Sequence, residues 1–379
     1  TTGGAIHVSS VARGLAARGH DVTVLTTPGP GGFPDADAVR WRALGPPLGI
    51  RHLRTLRSRA VRAIARETGA DAVIERYHNF GGEGIRAART LGRVGVLEVN
   101  APVIDYPGSP KRLLDRTLLV EPMRRWREWQ CRAADLIVTP TAAILPSWVP
   151  PERVVELEWG AETDRFHPGA SGDIGFERKP GAVVAVFAGA FRAWHGAVTL
   201  VRAVRTLRAR GRADVHAVFI GSGPELGRAR AESEGLGGVT FTGPVAHARM
   251  PASLAACDIG VAPFDTAAHA PLQLAFYWSP LKVFEYMASG LPVVAPRIER
   301  LQRIVRHEQE GVLYDAEAPG SLADALVRLA DAPEMRAQLG RAARARVVEH
   351  FSWAAHCARL DEAIRRVRGD RPIDEPCGS

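Results

Sequence analysis

Ser279-Pro-Leu-Lys-Val-Phe-Glu-Tyr-Met-Ala-Ser-Gly-Leu-Pro-Val-Val-Ala-Pro296 sets the pattern for the whole chain. A loop carrying Ser279 and Pro280 runs into a predicted helix from about Lys282 to Ser289. Gly290 suits the position just past a helix end, where the backbone turns left-handed. Leu291 to Ala295 then reads as a short buried strand. Proline ahead of the first turn leaves backbone N–H groups free at the helix start, and such groups attract anions. Lys282 adds an ammonium to that turn, where it opposes the helix dipole. Glu285, three residues on, shares a face with it, so the pair could span a phosphate and a sugar hydroxyl of one ligand. A surface helix with an ordinary Lys–Glu pair fits the same letters. Composition favours the ligand: the 49 basic residues include only three lysines, Lys111, Lys179 and Lys282. A lysine kept where arginine is otherwise used points to a compact charge with a task.

Working outward, 379 residues suggest two domains, and 46% apolar with 24% charged residues is ordinary globular composition. Cys131, Cys257, Cys357 and Cys377 lie far apart with no C-x-x-C pair. That excludes a usual zinc site and points to a reducing, cytoplasmic setting. No apolar run approaches the roughly 20 residues that cross a bilayer, and no signal peptide is visible. The net charge of +8 suits an anionic small substrate or an anionic membrane face. Arginines spread over many helices, without a recognisable binding module, argue against nucleic acid.

Strand and helix alternate throughout, which predicts an α/β fold of two doubly wound domains. Gly3 and Gly4 form a turn ahead of a helix read at Val8–Arg18, followed by a strand at Asp21–Thr26. A glycine pair of this kind usually follows a strand; its absence here suggests truncation or processing at this end. The segment from Pro34 to Gly49 reads as irregular, and Arg51–Glu67 as a basic helix. Strands at Ala72–Glu75 and Gly95–Val99 place Glu75, Arg76, Glu98 and Asn100 at carboxyl ends, where α/β proteins bind ligands. Capping of turns is the alternative for each. Pro110–Ala134, rich in leucine, tryptophan and arginine, is either a surface resting on a membrane or a pair of helices covering a sheet.

Asp164–Pro180 reads as a linker. Ala182–Gly189 is a continuous apolar strand of the buried parallel kind. The turn after it carries Arg192 and His195, well placed to meet phosphate oxygens. Gly221-Ser-Gly-Pro-Glu225 makes a second tight turn ahead of a helix, with Gly221 and Gly223 as its glycines.

Taken in order, these pieces resemble the retaining nucleotide-sugar glycosyltransferases of family four, which have the GT-B fold. The resemblance rests on Gly3-Gly4 with His7, Leu15–Val24, Glu98–Pro102, Arg165–Pro168, Gly189–Gly196, Gly221–Glu225, Ala256–Pro263 and, most specifically, Ser279–Pro292. It implies two Rossmann-like domains facing each other across a cleft. The first would span 1–175 and lack its first strand, with helix 352–368 crossing back to complete it. The second would span 176–351, and 369–379 would be a tail. By matching position, Glu285 would bind the donor's ribose, and Pro280, Leu281, Lys282 and Val283 the sugar and diphosphate. Val245 would hold the base. Gly3 and Gly4 would face the diphosphate, and Glu98 and Asn100 would lie on the acceptor side.

The expected activity is metal-independent transfer of a sugar from a nucleotide-diphosphate sugar to a saccharide, lipid-linked or small-molecule hydroxyl. The donor is a co-substrate, so no cofactor is expected. Arg192 and Lys282, with help from His195, would stabilise the leaving diphosphate. Three departures stand out. Tyr277 replaces a frequent glutamate, His195 replaces a frequent lysine, and Trp159-Gly-Ala-Glu162 differs from the usual Asn-Gly-Val-Asp. A sugar-nucleotide epimerase, an inverting transferase or a non-catalytic nucleotide-sugar or polyanion binder are the alternatives. An NAD-dependent enzyme is disfavoured, because no G-x-G-x-x-G with a following acid appears after a strand.

Overall fold

The computed structural model describes residues 3–27, 32, 38–109 and 120–369. The expected tail from 370 on, the Gly/Pro loop around 28–37 and residues 110–119 of the Leu/Arg-rich segment lie outside them. The chain forms two compact units. One comprises residues up to Trp159, Tyr277–Ser279 and the chain from His356 on; the other comprises Gly160–Phe276 and Pro280–Ala355. The sequence reading puts the first break at 175.

The amino-terminal unit opens with α1 (Gly3–Ala17), then β1 (Val22–Thr26) and β2 (Val39–Ala43), a parallel pair. β2 lies in the segment read as irregular, although Val39-Arg-Trp-Arg-Ala alternates apolar and polar residues as a half-buried strand does. The basic stretch after it is split. Arg51–Arg57 is a 3-10 turn, and only Ser58–Glu67 forms an α-helix, α2. A second, four-stranded parallel sheet runs β3 (Ala72–Arg76), β4 (Val94–Glu98), β5 (Leu136–Thr139) and β6 (Val154–Glu156), with α3 (Glu83–Thr90) between its first two strands. β4 and β5 are buried along their whole length.

α4 (Val120–Ala133) is a covering helix. Its Trp126 and Trp129 stack at 4.5 Å, Arg86 lies over both rings, and Trp126 donates to the Gly81 carbonyl. Those rings pack within the fold, as the covering alternative expects of the described part of this segment. Cys131, Cys257 and Cys357 are buried free thiols; Cys377 lies outside the described residues.

The carboxy-terminal unit is built on a six-stranded, all-parallel sheet. In sequence these are β7 (Val183–Ala188), β8 (Val215–Ile220), β9 (Val239–Gly243), β10 (Ile259–Val261), β11 (Val293–Pro296) and β12 (Gly311–Tyr314). Their order across the sheet is β12-β11-β10-β7-β8-β9. The order reverses beside β7, the first strand of the unit in sequence, which is where such sheets open a ligand crevice at their carboxyl ends. Helices α5 (Ala197–Ala209), α6 (Leu226–Glu232), α7 (Met250–Ala255), α8 (Leu281–Ala288), α9 (Glu299–Ile304), α10 (Ser321–Asp331) and α11 (Pro333–His350) connect or cover the strands. α12 (Trp353–Gly369) ends the described chain. Leu200, Val201, Val204 and Leu207 of α5 pack on Phe187, Val215 and Phe219, which makes the core continuous from strand to helix.

Candidate active site

The site in the carboxy-terminal unit begins with how α8 is fixed. Tyr286, on its inner face, accepts a 2.7 Å hydrogen bond from the Ala188 amide at the end of β7. Its ring lies so close to Gly260 of β10 that a Cβ there would come within 2.4 Å. One turn earlier on the same face is Lys282. Its ammonium therefore arrives at the carboxyl end of β7, 4.1 Å from the centre of the Phe187 ring and 5.3 Å from that of Phe264. It lies behind exposed Gly189, and a Cβ on that glycine would come within 3.5 Å of Nζ.

Lys282 is buried, and its Nζ has no hydrogen-bond partner among the described residues. Burial lowers its pKa to about 7, against a smaller opposing pull from Glu285. The ordinary surface Lys–Glu pair is thus not what forms. Aromatic faces give a cation some compensation, but a buried ammonium without an acceptor remains costly. The helix start beside it carries no side-chain cap. Pro280 has no N–H, and the Val283 amide donates to the Pro280 carbonyl at 2.8 Å. Of the four loop residues expected to meet the donor, this leaves the amides of Leu281 and Lys282 to offer.

The turn after β7 supplies the second wall. Arg192 is exposed and packs over Trp194 at 5.6 Å. His195, in a 3-10 turn at Ala193–His195, uses Nδ1 against the Ala190 carbonyl. Burial, and then the charge of Lys282, lower its pKa to about 3. His195 is therefore neutral, with Nδ1–H as donor and Nε2 left as an acceptor. Without a ligand it therefore lacks the charge that a lysine would carry at this position. It suits a sugar hydroxyl. The charge in this wall belongs to Arg192.

The next turn buttresses this one. Phe191 donates to Ser222, Glu225 donates to Phe191, and the Gly221 amide donates to Gly243 at 2.8 Å. Gly221 has φ +129° and stands where a Cβ would come within 2.0 Å of the Gly189 carbonyl; one on Gly223 would meet Phe191 at 2.6 Å. Both glycines thus permit close packing of two turns, and Gly221 has no amide left for a ligand.

Glu285 defines the far end. Burial and Glu162 raise its pKa to about 7, against the lowering effects of Lys282 and Arg165. His247, in the loop that also holds Val245, brings Nε2 to 4.0 Å from the Glu285 carboxylate. Arg165 fixes this histidine, reaching its Nδ1 and its carbonyl, each at 3.3 Å. With Nδ1 accepting from the guanidinium, Nε2 carries the proton and faces Glu285. Sequence reasoning missed His247; only its place in the loop with Val245 marked it. Phe187 was missed because an apolar letter in a buried strand reads as core, and Phe264 because an apolar letter in the loop after β10 carries no polar atom to mark it.

In the amino-terminal unit the expected acceptor-side residues form a buried knot. Glu98 meets His7 at 3.1 Å and accepts from Asn100, which in turn accepts from Trp159 at 3.1 Å. Arg76 lies over Trp159 and donates to the carbonyl of Gly4, which sits with Gly3 in the first turn of α1. Burial pushes the Glu98 pKa up and takes that of His7 down to about 3. Glu98 is inside this knot and Asn100 at its edge.

A caged cation at the carboxyl ends of parallel strands, in a chain of two α/β units, is a setting for an anionic ligand. Sucrose-phosphate synthase from Thermosynechococcus elongatus has the same fold, with a TM-score of 0.69 over 98% of this chain and 95% of that one, at 20% identity. HepE from Anabaena, solved with UDP-glucose, gives 0.66 over 97% and 96%, at 17% identity. Residues 182–332 match the family described as Glycosyl transferases group 1, and residues 1–149 match Glycosyltransferase Family 4. The chain belongs to this glycosyltransferase family. Among its curated relatives, D-inositol 3-phosphate glycosyltransferase of Acidothermus cellulolyticus is 28% identical over 92% of this chain and 82% of its own length. The enzyme of the same name from Corynebacterium glutamicum is 28% identical over 59% of this chain, and that match spans about half (54%) of the relative's length. No helix among the described residues is long and apolar enough to cross a membrane.

Proposed function

We propose that the chain moves a sugar from a nucleotide-diphosphate sugar to an acceptor hydroxyl with retention of configuration, using side-chain cations in place of a metal ion. The observation that carries this is the Lys282 ammonium, buried without an acceptor beside an uncapped helix start. A diphosphate supplies the missing acceptor oxygens. As the bond from the anomeric carbon to the diphosphate oxygen breaks, negative charge grows on the departing phosphate. Lys282, Arg192 and the amides of Leu281 and Lys282 are fixed in advance to receive it. Glu285 takes the ribose hydroxyls, Val245 and His247 border the base, and His195 accepts from a sugar hydroxyl. The family likeness supports retention, with the donor phosphate oxygen taking the acceptor proton on the same face. Gly3, Gly4, Glu98 and Asn100 remain the proposed contribution of the amino-terminal unit. The names of the relatives make an inositol phosphate the first acceptor to test.

A thermal-shift screen of UDP, GDP, ADP and TDP, alone and as their sugars, identifies the donor, because ligand binding raises stability with affinity. One nucleotide series is expected to stabilise the protein, and Glu285→Ala to weaken that nucleotide about 10- to 100-fold, the loss of one or two hydrogen bonds to a charged group. No shift with any nucleoside diphosphate would overturn the reading. Donor incubated without acceptor should yield slow hydrolysis; an epimerised donor instead would identify an epimerase.

A further inference from the structure

Six large apolar side chains are exposed among the described residues, and three of them fall close together: Leu48 at 89%, Ile50 at 44% and Leu56 at 66%. The backbone holds Leu48 out at some cost. Its φ is +55°, in the left-handed region that a leucine rarely occupies. Pro46, Pro47 and Gly49 frame it, so the turn is stiff. A glycine or asparagine would form the same turn with less strain, and the fold gains no burial from leucine here.

The surrounding charge has one sign. Residues 45–67 contain six arginines and a single acid, Glu67, which is paired with Arg42. Arg54 and Arg57 turn inward onto Glu83 and tie the segment to α3. Arg59 and Arg66 are exposed on the outer face of α2, opposite buried Val61 and Ala65. Leu56, Arg59, Ala63 and Arg66 follow the three- and four-residue spacing of one helical face, and all are exposed.

We propose that this segment is a docking surface for an anionic lipid bilayer. Single aliphatic side chains projecting from a stiff turn can enter the boundary between headgroups and acyl chains, while neighbouring arginines meet lipid phosphates. An acidic protein would pair with the arginines but would leave the isolated leucine tips without a pocket of their own. The segment differs from the Leu/Arg-rich stretch that the sequence suggested for membrane contact, and the proposal is independent of the donor chemistry above.

The test is co-sedimentation of the whole chain with vesicles of phosphatidylcholine alone and with about 30 mol % phosphatidylglycerol. Binding is expected only to the anionic vesicles, and to fall as salt is raised. Leu48→Asp with Leu56→Asp, and separately Arg59→Glu with Arg66→Glu, should each reduce it at least about tenfold. Leu48→Asn is the discriminating variant: relief of the left-handed leucine should raise Tm while vesicle binding falls. Vesicle binding equal to wild type in these variants, or equal binding to neutral vesicles, overturns the proposal. So does a self-associated form in light scattering that Leu56→Asp abolishes, since the face would then be a protein interface. The nucleoside diphosphate thermal shift serves as the folding control and should be unchanged.

Discussion

Replacing Lys282 with alanine is expected to lower kcat about 100- to 1,000-fold and to weaken donor binding as well, because the ammonium meets the diphosphate both before and during bond breaking. Arginine should not rescue it, because the cage of Phe187 and Phe264 behind Gly189 fits a compact ammonium and not a planar fork. Lys282→Met should do something further in the absence of ligand: it should stabilise the protein. The native lysine is buried with no acceptor, and methionine of similar length removes that cost, on the order of 3 kcal/mol at pH 6. The pH dependence has a definite sign. The side chain is protonated up to about pH 7 in the folded chain and up to about 10.5 when unfolded. Between these values the unfolded state binds more protons, so wild-type stability rises with pH. The advantage of the methionine variant should shrink from pH 7 upward and be nearly gone by pH 10. Urea titrations at several pH values measure it. An unchanged kcat in the alanine variant would remove Lys282 from the leaving-group role.

The second large effect lies in the packed turns. Gly221→Ala should cost about 4 kcal/mol, combining a disfavoured backbone angle with a Cβ forced against the Gly189 carbonyl at 2.0 Å. The turn it displaces carries Arg192 and His195, so donor affinity should fall in whatever protein still folds. Gly227→Ala is the control. It sits inside α6 with nothing within 4 Å of the added methyl, and should stabilise by about 0.5–1 kcal/mol through helix propensity. Equal denaturation midpoints for the two variants would refute the close-packing account of Gly221.

The contrast between these positions shows what the letters alone reveal. Continuous apolar runs such as Val183–Ala188, and the helix-to-strand passage around Gly290, are legible because period and turn chemistry agree; Gly290 indeed has φ +73°. β2 is legible by the same rule, since Arg40 and Arg42 alternate with Val39, Trp41 and Ala43 at the two-residue period of a strand, and reading that segment as irregular passes over it. The 3-10 turn at Arg51–Arg57 looks helical because its spacing is close to that of an α-helix. At the site, spacing placed Lys282 and Glu285 on neighbouring positions but gave no warning that the ammonium would lie against one ring from β7 and one from the loop after β10. That depends on Tyr286 reaching Ala188, a contact between residues 98 positions apart. His195 looked like a cation because histidine can be one. Only its burial and its nearness to Lys282 make it neutral.

The softened base behind Gly189 also couples ligand capture to the solvent. At pH 8 most free molecules hold Lys282 as an uncharged amine, whereas a seated diphosphate favours the ammonium. Each binding event should then draw close to one hydrogen ion from the buffer. The heat measured on mixing would accordingly differ between phosphate and Tris by nearly the difference in their ionisation enthalpies, and Lys282→Met would erase that dependence.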